Sequence, residues 1–315
     1  MFHIILATIP TNKLGVYTGF ASMIISFAPA LGPTYGGLMT SLFSWRMIFG
    51  CILPVLVVLF ILGIMTIRIK AIYLHRKFDW LGLILLAIIF TSFVETFNLA
   101  GRYGFNNSIF IIALFSSLIM LVLLVLHIRY GKRSLLNFRI LKSPIVSLRA
   151  INFVIFQFIN IGASFVIPVF VQNYLHVNAM TAGLIVLPGS IVGAVIAPIA
   201  GQIYDKIGPR LPFLIANISM MIGAALLFGL TASLTASLTT IIYICLRFGF
   251  NFGFGNTISD ASKQVDKTAK GDVNSLFNTL QQYAGSLGTV VLSAIISVNE
   301  MHINNASYAT MLGSH

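Results

Sequence analysis

Charged side chains are scarce in this sequence. Only 8% of its 315 residues are Asp, Glu, Lys or Arg, and seven of these are acidic. Soluble domains carry about 25% charged residues, so this composition excludes a soluble globular fold. Cysteine is scarce as well. Cys51 and Cys245 both lie inside apolar runs without metal-ligand spacing, which excludes a disulfide framework and a zinc site.

Hydrophobic residues make up 58% of the chain and cluster in long runs. Because a helix needs about 20 apolar residues to cross the hydrocarbon, such runs predict membrane helices. Nine of them are present, at residues 15–41, 47–67, 80–99, 109–128, 146–171, 181–203, 211–231, 238–258 and 273–297. A stub at residues 1–9 is too short to cross, and it is either the inner end of a further helix or a segment lying flat on the membrane. The sequence therefore predicts an all-α integral membrane protein with nine complete transmembrane helices.

Basic residues are concentrated in alternate loops. Sixteen lysines and arginines fall in one set of loops, whereas the opposite set holds only Arg46 and Arg102. By the positive-inside rule, we expect residues 10–13 to be cytoplasmic and the C-terminal tail to be extracellular, in a multi-pass protein of the cell membrane. The net charge of +12 does not indicate a nucleic-acid partner, because the charges form short clusters between apolar runs.

A glycine- and proline-rich run, GPTYGG at residues 32–37, interrupts the first long apolar segment. Membrane helices tolerate these residues, and glycine lets two helix backbones approach closely. Ala28, Gly32 and Gly36 share one helix face at four-residue spacing, and Pro33 is expected to bend the helix. The run therefore predicts a kinked spanning helix with a smooth face for a partner helix.

Several motifs, in this order along the chain, resemble one family. The run at 32–37 is similar to the antiporter motif in the fifth helix of the fourteen-spanner drug:proton antiporters of the major facilitator superfamily. WRMIF at 45–49 resembles the opening of their sixth helix, and GQIYDKIGPR at 201–210 resembles a cytoplasmic loop motif. The thirteenth helix of the family has a pattern that resembles four residues here: Asn278, Gln281, Gly285 and Gly288.

The resemblance implies a partial bundle covering helices five to thirteen. Residues 1–70 correspond to the end of the N-terminal half with a helix-four stub, 71–142 to an inserted helix pair, and 143–315 to a C-terminal half without its last helix. The expected activity is alternating-access export of drugs or other amphipathic or cationic compounds in exchange for protons. The proton gradient serves as the energy source without a cofactor, and no enzyme activity is expected. The implied partners are the lipid bilayer, the substrate, protons and the missing helices.

The resemblance also supplies candidate site residues in and near the motifs. In the fifth helix, Gly32, Pro33, Gly36 and Gly37 are expected to form a seal between the two halves, with a partner in the missing half. Trp45 and Arg46 are either a gating contact or an aromatic anchor with a snorkelling arginine. A second set lies just before the seventh long run and is either a charge latch or an ordinary turn: Asp205, Gly208 and Arg210. The negative charge of Asp205 suits the N-terminus of the helix beginning near 211.

Two charges are predicted within membrane helices. Such charges are costly in lipid and are functional candidates by default. Glu95 lies near the outer end of its helix, where it reaches the interface, pairs with Arg102 or acts as a protonatable site. Arg247 is expected to contact a carboxylate or a carbonyl group, in either a functional or a purely structural role.

Polar residues on two helix faces are cavity-lining candidates. Amides in lipid need hydrogen-bond partners, so they are expected to point inward. Either they line a substrate cavity or they bond between helices. The two sets are Gln157, Asn160 and Ser164, and Asn274, Asn278 and Gln281.

Two other functions remain open from the sequence. In the first, a protein of the same fold exports another cargo, such as a metabolite or a lipid. Alternatively, the chain is a non-transporting fragment or a degenerate reading frame of such a transporter.

Overall fold

Ten α-helices make up the fold in a computed structural model, which describes residues 2–66, 78–130, 136–230, 234–266 and 269–302. The side chains of residues 3, 7, 28–30, 33 and 300–302 lie outside the described part. The helices are α1 (Phe2–Thr8), α2 (Leu14–Leu42), α3 (Arg46–Thr66), α4 (Trp80–Tyr103), α5 (Ser108–Tyr130), α6 (Pro144–Asn173), α7 (Ala179–Ile207), α8 (Arg210–Leu230), α9 (Ala236–Lys263) and α10 (Lys270–His302). Short 3₁₀ turns precede α2 and α6, at Thr11–Lys13 and Phe138–Lys142. The described residues include no strand.

Each predicted run corresponds to one of the helices α2 to α10, and the stub forms α1. By length and composition, seven helices in the described ranges are apolar enough to cross a membrane, namely α3 to α9. The all-α membrane class is thus confirmed. Because α2 and α10 are not among the seven, the count of nine spanning helices stays a prediction.

Side-chain caps fix where several helices begin. Asp79 accepts a hydrogen bond from the Gly82 N–H at 2.9 Å and so caps α4. Asn178 caps α7 in the same way, and Thr235 caps α9. These short polar residues satisfy N–H groups that have no partner within the helix, which sets the start of each helix.

A central group of α2, α6, α7 and α9 contains most of the core. α2 runs antiparallel to α7, with Gly15 beside Gly201 and Gly37 beside Ala179. α9 packs against α2, α6, α7 and α8. Aromatic rings fill the space between α6, α9 and α10, where Phe153 stacks on Phe254 with ring centroids 5.3 Å apart. This group positions all of the buried charges discussed below.

The α4–α5 pair and α3 lie outside this group. A buried contact between Thr96 and Ser117 at 3.0 Å joins α4 to α5. α4 also packs on α10, where Phe90 stacks on Tyr283 with centroids 4.3 Å apart. None of the residues of α3 is buried, and α3 contacts α2 near Tyr35.

Candidate functional site

The seam between α2 and α7 is built from small residues. A Cβ atom added to Gly15 would lie 2.6 Å from the Gly201 carbonyl oxygen, and one on Gly19 would lie 2.9 Å from the Pro198 Cα. Both positions therefore require glycine, because the backbones approach too closely for a larger residue. α2 therefore makes a close helix contact at Gly15 and Gly19, and the partner in that contact is α7 of this chain.

The motif glycines take unequal parts in this seam. Gly37 lies against Ala179, whereas a Cβ on Gly32 or Gly36 would meet no atom of another described residue within 4 Å. α2 turns Gly15, Gly19 and Gly37 toward α7, so the face with Gly32 and Gly36 takes no part in this contact, and their role in a seal stays a prediction. Pro33 lies inside the continuous helix α2, but its side chain lies outside the described residues.

Asp205 clamps one end of this seam. Its two carboxylate oxygens accept hydrogen bonds from the backbone N–H groups of Gly15 (3.0 Å) and Val16 (2.9 Å), the first residues of α2. Lys263 Nζ approaches Oδ1 at 3.7 Å. A carboxylate is stabilised at a helix N-terminus because it satisfies free N–H groups and faces the positive end of the helix dipole.

This geometry corrects two expectations about the loop motif. Asp205 lies inside α7 and caps α2, rather than the helix that begins at Arg210. Its ion-pair partner is Lys263, and Arg210 is exposed. Gly208 ends α7 with φ of +85°, a backbone conformation that residues with a Cβ rarely adopt. The role of the three residues as a latch stays a prediction.

A second buried carboxylate lies at the same end of the bundle. Asp260 of α9 accepts hydrogen bonds from Arg149 Nε at 2.6 Å and from the Tyr204 hydroxyl at 2.9 Å. The Arg149 guanidinium also stacks 3.7 Å from the centre of the Phe213 ring. Together these contacts tie α6, α7, α8 and α9 to one another.

Sequence reasoning missed Asp260 and Arg149. It ended the α9 segment at residue 258, although the helix continues to Lys263, and it therefore left Asp260 in a loop. One available signal was the scarcity of acids, since only seven occur in the chain. Another was the polar pattern Asn256, Thr257 and Ser259 leading up to Asp260, which is typical of a helix end that remains buried.

Arg247 occupies the middle of α9 and is 1% exposed. Its Nη1 donates to Asn160 Oδ1 of α6, and its Nη2 donates to the Ser26 carbonyl of α2 at 3.1 Å. The Ser26 hydroxyl in turn donates to Asn251 Oδ1 at 2.5 Å. The structure thus brings together two of the predicted candidates, Arg247 and Asn160, and links them to α2.

The remaining α6 candidates lie near this cluster. Gln157, three residues before Asn160, is 1% exposed, and its Nε2 has no acceptor among the described residues. The Ser164 hydroxyl contacts the Tyr243 hydroxyl at 3.0 Å and donates to the Asn160 carbonyl. The inward orientation predicted for this face agrees with the burial of Gln157 and Asn160.

The α10 candidates behave differently. Asn278 is exposed, and Asn274 and Gln281 are half-buried. Asn278 faces away from the described helices, because α10 packs on α6 through other residues, and its cavity-lining role stays a prediction. Gly288, for example, lies against the Phe158 backbone.

The other candidates make local contacts. Glu95 is exposed and accepts a hydrogen bond from Asn98 at 3.4 Å, a nearer partner than the expected Arg102. The Arg46 guanidinium lies 5.6 Å from the centre of the exposed Trp45 ring. This geometry suits an aromatic anchor with a snorkelling arginine, and a gating contact stays a prediction.

Comparison with known proteins gives a consistent family. Residues 1–289 match the family model described as Major Facilitator Superfamily. The lincomycin resistance protein LmrB of Bacillus subtilis is 29% identical over 306 residues, covering 95% of this chain and 63% of the relative. LmrB of Listeria innocua is 27% identical over 304 residues, with coverages of 95% and 64%. The multidrug resistance protein 3 of B. subtilis is 24% identical over 315 residues, with coverages of 99% and 61%.

The chain thus spans less than two thirds of the length of these relatives. The family model nevertheless matches most of the chain, and the all-α architecture with seven candidate membrane spans agrees with it. This multi-pass membrane protein belongs to the major facilitator superfamily.

Proposed function

We propose that the protein exports drugs or other amphipathic compounds across the cell membrane by alternating access, in exchange for protons. The names of its relatives support drug efflux, since they include lincomycin and multidrug resistance proteins. The observation that carries the mechanism is the α2–α7 seam, which combines close glycine contacts with a polar clamp at Asp205.

In this proposal, α2 belongs to one moving half and α7 and α9 belong to the other. Glycine contacts give a smooth interface with few interlocking side chains, so the helices separate at little steric cost. Directional contacts then hold the closed state, and the Asp205 carboxylate supplies two of them. Transporters of this architecture rock their halves about a central site, and such a seam with a releasable clamp suits that motion.

The proposed orientation places the Asp205 end of the bundle in the cytoplasm. Asp205 contacts Lys263, and nearby Lys270 Nζ donates to the Leu6 carbonyl at 3.3 Å. Lys13 and Lys206, from two other predicted cytoplasmic loops, line the groove beside Asp205, so basic residues of three such loops gather at this end. This grouping supports the positive-inside orientation and the alternation of nine spans.

Ethidium accumulation in an efflux-deficient bacterial host tests the proposal. Cells that express the complete gene should accumulate less of the dye than cells with an empty vector. A protonophore should abolish the difference, because it removes the proposed energy source. Unchanged accumulation across a panel of lipophilic cations and antibiotics would contradict drug export, and efflux that survives the protonophore would contradict proton coupling.

A further inference from the structure

We propose that the buried polar cluster around Arg247 binds a carboxylate on the transported compound. The inference rests on the proposed export function and names the chemistry of the cargo. The cluster consists of Arg247, Asn160, Gln157, Ser26, Ser190 and Asn251, contributed by α2, α6, α7 and α9.

Arg247 is a buried cation without a carboxylate partner in the described part of the chain. Three acids have partners elsewhere. Asp79 pairs with His127, and Asp205 binds the α2 N-terminus and Lys263. Asp260 binds Arg149 and Tyr204. Glu95 and Asp266 are exposed, and Asp272 accepts a hydrogen bond from Asn137. The seventh acid, Glu300, has its side chain outside the described residues. The neighbours of Arg247 are neutral oxygens, which leave its charge uncompensated in a region of low dielectric constant.

The cluster also contains three buried donor groups without partners. Arg247 Nε, Gln157 Nε2 and the Ser190 hydroxyl are buried without a hydrogen-bond partner among the described residues. Asn160 Oδ1 and the Ser26 carbonyl already accept from the terminal nitrogens of Arg247. Buried donors are costly unless an acceptor meets them, so the cluster is suited to receive oxygen atoms from a ligand.

The helix contacts bring the residues that carry these three donors to the part of the bundle around Arg247. Gln157 precedes Asn160 by three residues on α6, and Asn160 contacts Arg247 directly. The antiparallel register of α2 and α7 sets Ser26 opposite Ser190. Gly189 and Gly193, on either side of Ser190, lie against Tyr243 and against Arg247 with Asn251.

A carboxylate is the group that satisfies both requirements. It supplies the negative charge that Arg247 lacks, and its two oxygens accept several hydrogen bonds at once. The guanidinium lies 5.4 Å from the Phe250 ring centre, so an apolar body attached to the carboxylate would meet aromatic surface. The cluster therefore favours an amphipathic acid or a zwitterion over the corresponding ester, which lacks the negative charge.

Tetramethylrhodamine and its methyl ester form a matched pair of probes, because they share one cationic ring system and differ in the carboxylate. Fluorescence anisotropy with the purified, lipid-reconstituted protein measures binding of each dye. The acid should bind about tenfold more tightly than the ester, since a charge-assisted hydrogen-bonded pair contributes at least that factor. Arg247→Gln should bring the two dissociation constants within about twofold, and Arg247→Lys should restore part of the difference.

Two milder variants keep the test decisive if Arg247 variants fold poorly. Ser190→Ala and Gln157→Met each remove one free donor, and each should weaken binding of the acid without weakening binding of the ester. Ser117→Ala, an equally buried serine in α5, serves as the matched control and should change neither. Equal affinity of the wild-type protein for both dyes, absence of binding, or equal losses for both dyes in the variants would overturn the inference.

A carboxylate from elsewhere in the polypeptide is the competing occupant of the cluster. In that case the Arg247 variants would lose thermal stability while dye preference stayed absent or unchanged, which also overturns the inference. Transport separates the two proposals. Dye preference without export counts against the export function alone, and export of the ester without dye preference counts against the carboxylate site alone.

Discussion

The Asp205 clamp makes a quantitative prediction about the conformational equilibrium of the α2–α7 seam. Asp205→Asn retains one acceptor oxygen but removes the charge that faces two α2 N–H groups at 2.9 and 3.0 Å. A hydrogen bond to a charged group contributes about 1.5–3 kcal/mol, and a charge at a partly buried helix terminus up to about 2 kcal/mol. These contributions overlap, so we expect a loss of about 2–3 kcal/mol from the closed state. The closed-to-open ratio should fall roughly 30- to 150-fold.

Dipolar EPR between two spin labels measures this ratio. Asn12 and Gln202 are exposed and line one groove beside Asp205, so Asn12→Cys and Gln202→Cys provide labelling sites on the two sides of the seam. Cys51 and Cys245 are replaced by alanine in the same background. The Asp205→Asn variant should move population from the short distance to a longer one.

Two further variants identify the cause. Lys263→Met should shift the distribution much less, because the Lys263–Asp205 pair is 3.7 Å long and its lysine side chain is 27% exposed, and such pairs contribute about 0–1 kcal/mol. Asp266→Asn removes an exposed acid at the same end of the bundle and should leave the distances unchanged. Equal distributions for Asp205→Asn and Asp266→Asn would refute the clamp, and an effect of Lys263→Met as large as that of Asp205→Asn would refute the helix-terminus explanation.

Three stability measurements test the remaining contacts, all by thermal unfolding in detergent. Gly37→Ala should lose about 1–3 kcal/mol by overpacking against Ala179, whereas Gly36→Ala should be neutral; equal losses would contradict the seam geometry. Asp260→Asn should lose about 3–5 kcal/mol, because it leaves its arginine partner in a largely buried site, and an unchanged melting temperature would exclude that pair as a stabilising contact. Asp79→Ala should lose about 1 kcal/mol of helix capping, most of which Asp79→Asn should retain; equal losses would show that pairing with His127 dominates.

The sequence predicted the helices well and their contacts poorly. Apolar runs locate helices because the bilayer requires a minimum length of apolar chain, which is a local property. Which face of α2 meets a neighbour depends on how α7 crosses it, and no spacing within α2 reveals that. The close contacts of Gly15 and Gly19 with α7 were therefore missed.

In the candidate site, too, the sequence predicted individual residues better than their contacts. Arg247 and Asp205 were found from the sequence because a charge in or beside a membrane helix is rare and expensive. Their partners could not be found in this way, since Asp205 binds backbone N–H groups and Arg247 binds a backbone carbonyl. Because every residue has a backbone carbonyl, the side-chain pattern does not indicate which backbone group forms the hydrogen bond.

The contacts of α2 with Asp205 and with Arg247 also differ in the free energy needed to separate them. This difference predicts which contact opens first. At the Asp205 end, water can replace the carboxylate on the Gly15 and Val16 N–H groups, because the exposed residues Asn12 and Gln202 line a groove beside it. At the level of Ser26, separation would take a backbone acceptor away from Arg247, a charge that is buried in the closed arrangement. We therefore expect α2 to separate from α7 first at its N-terminus and to remain in contact at Ser26 until the Arg247 cluster gains another acceptor. A bound carboxylate would be such an acceptor, so cargo binding at the Arg247 cluster would lower the barrier to the second stage of opening.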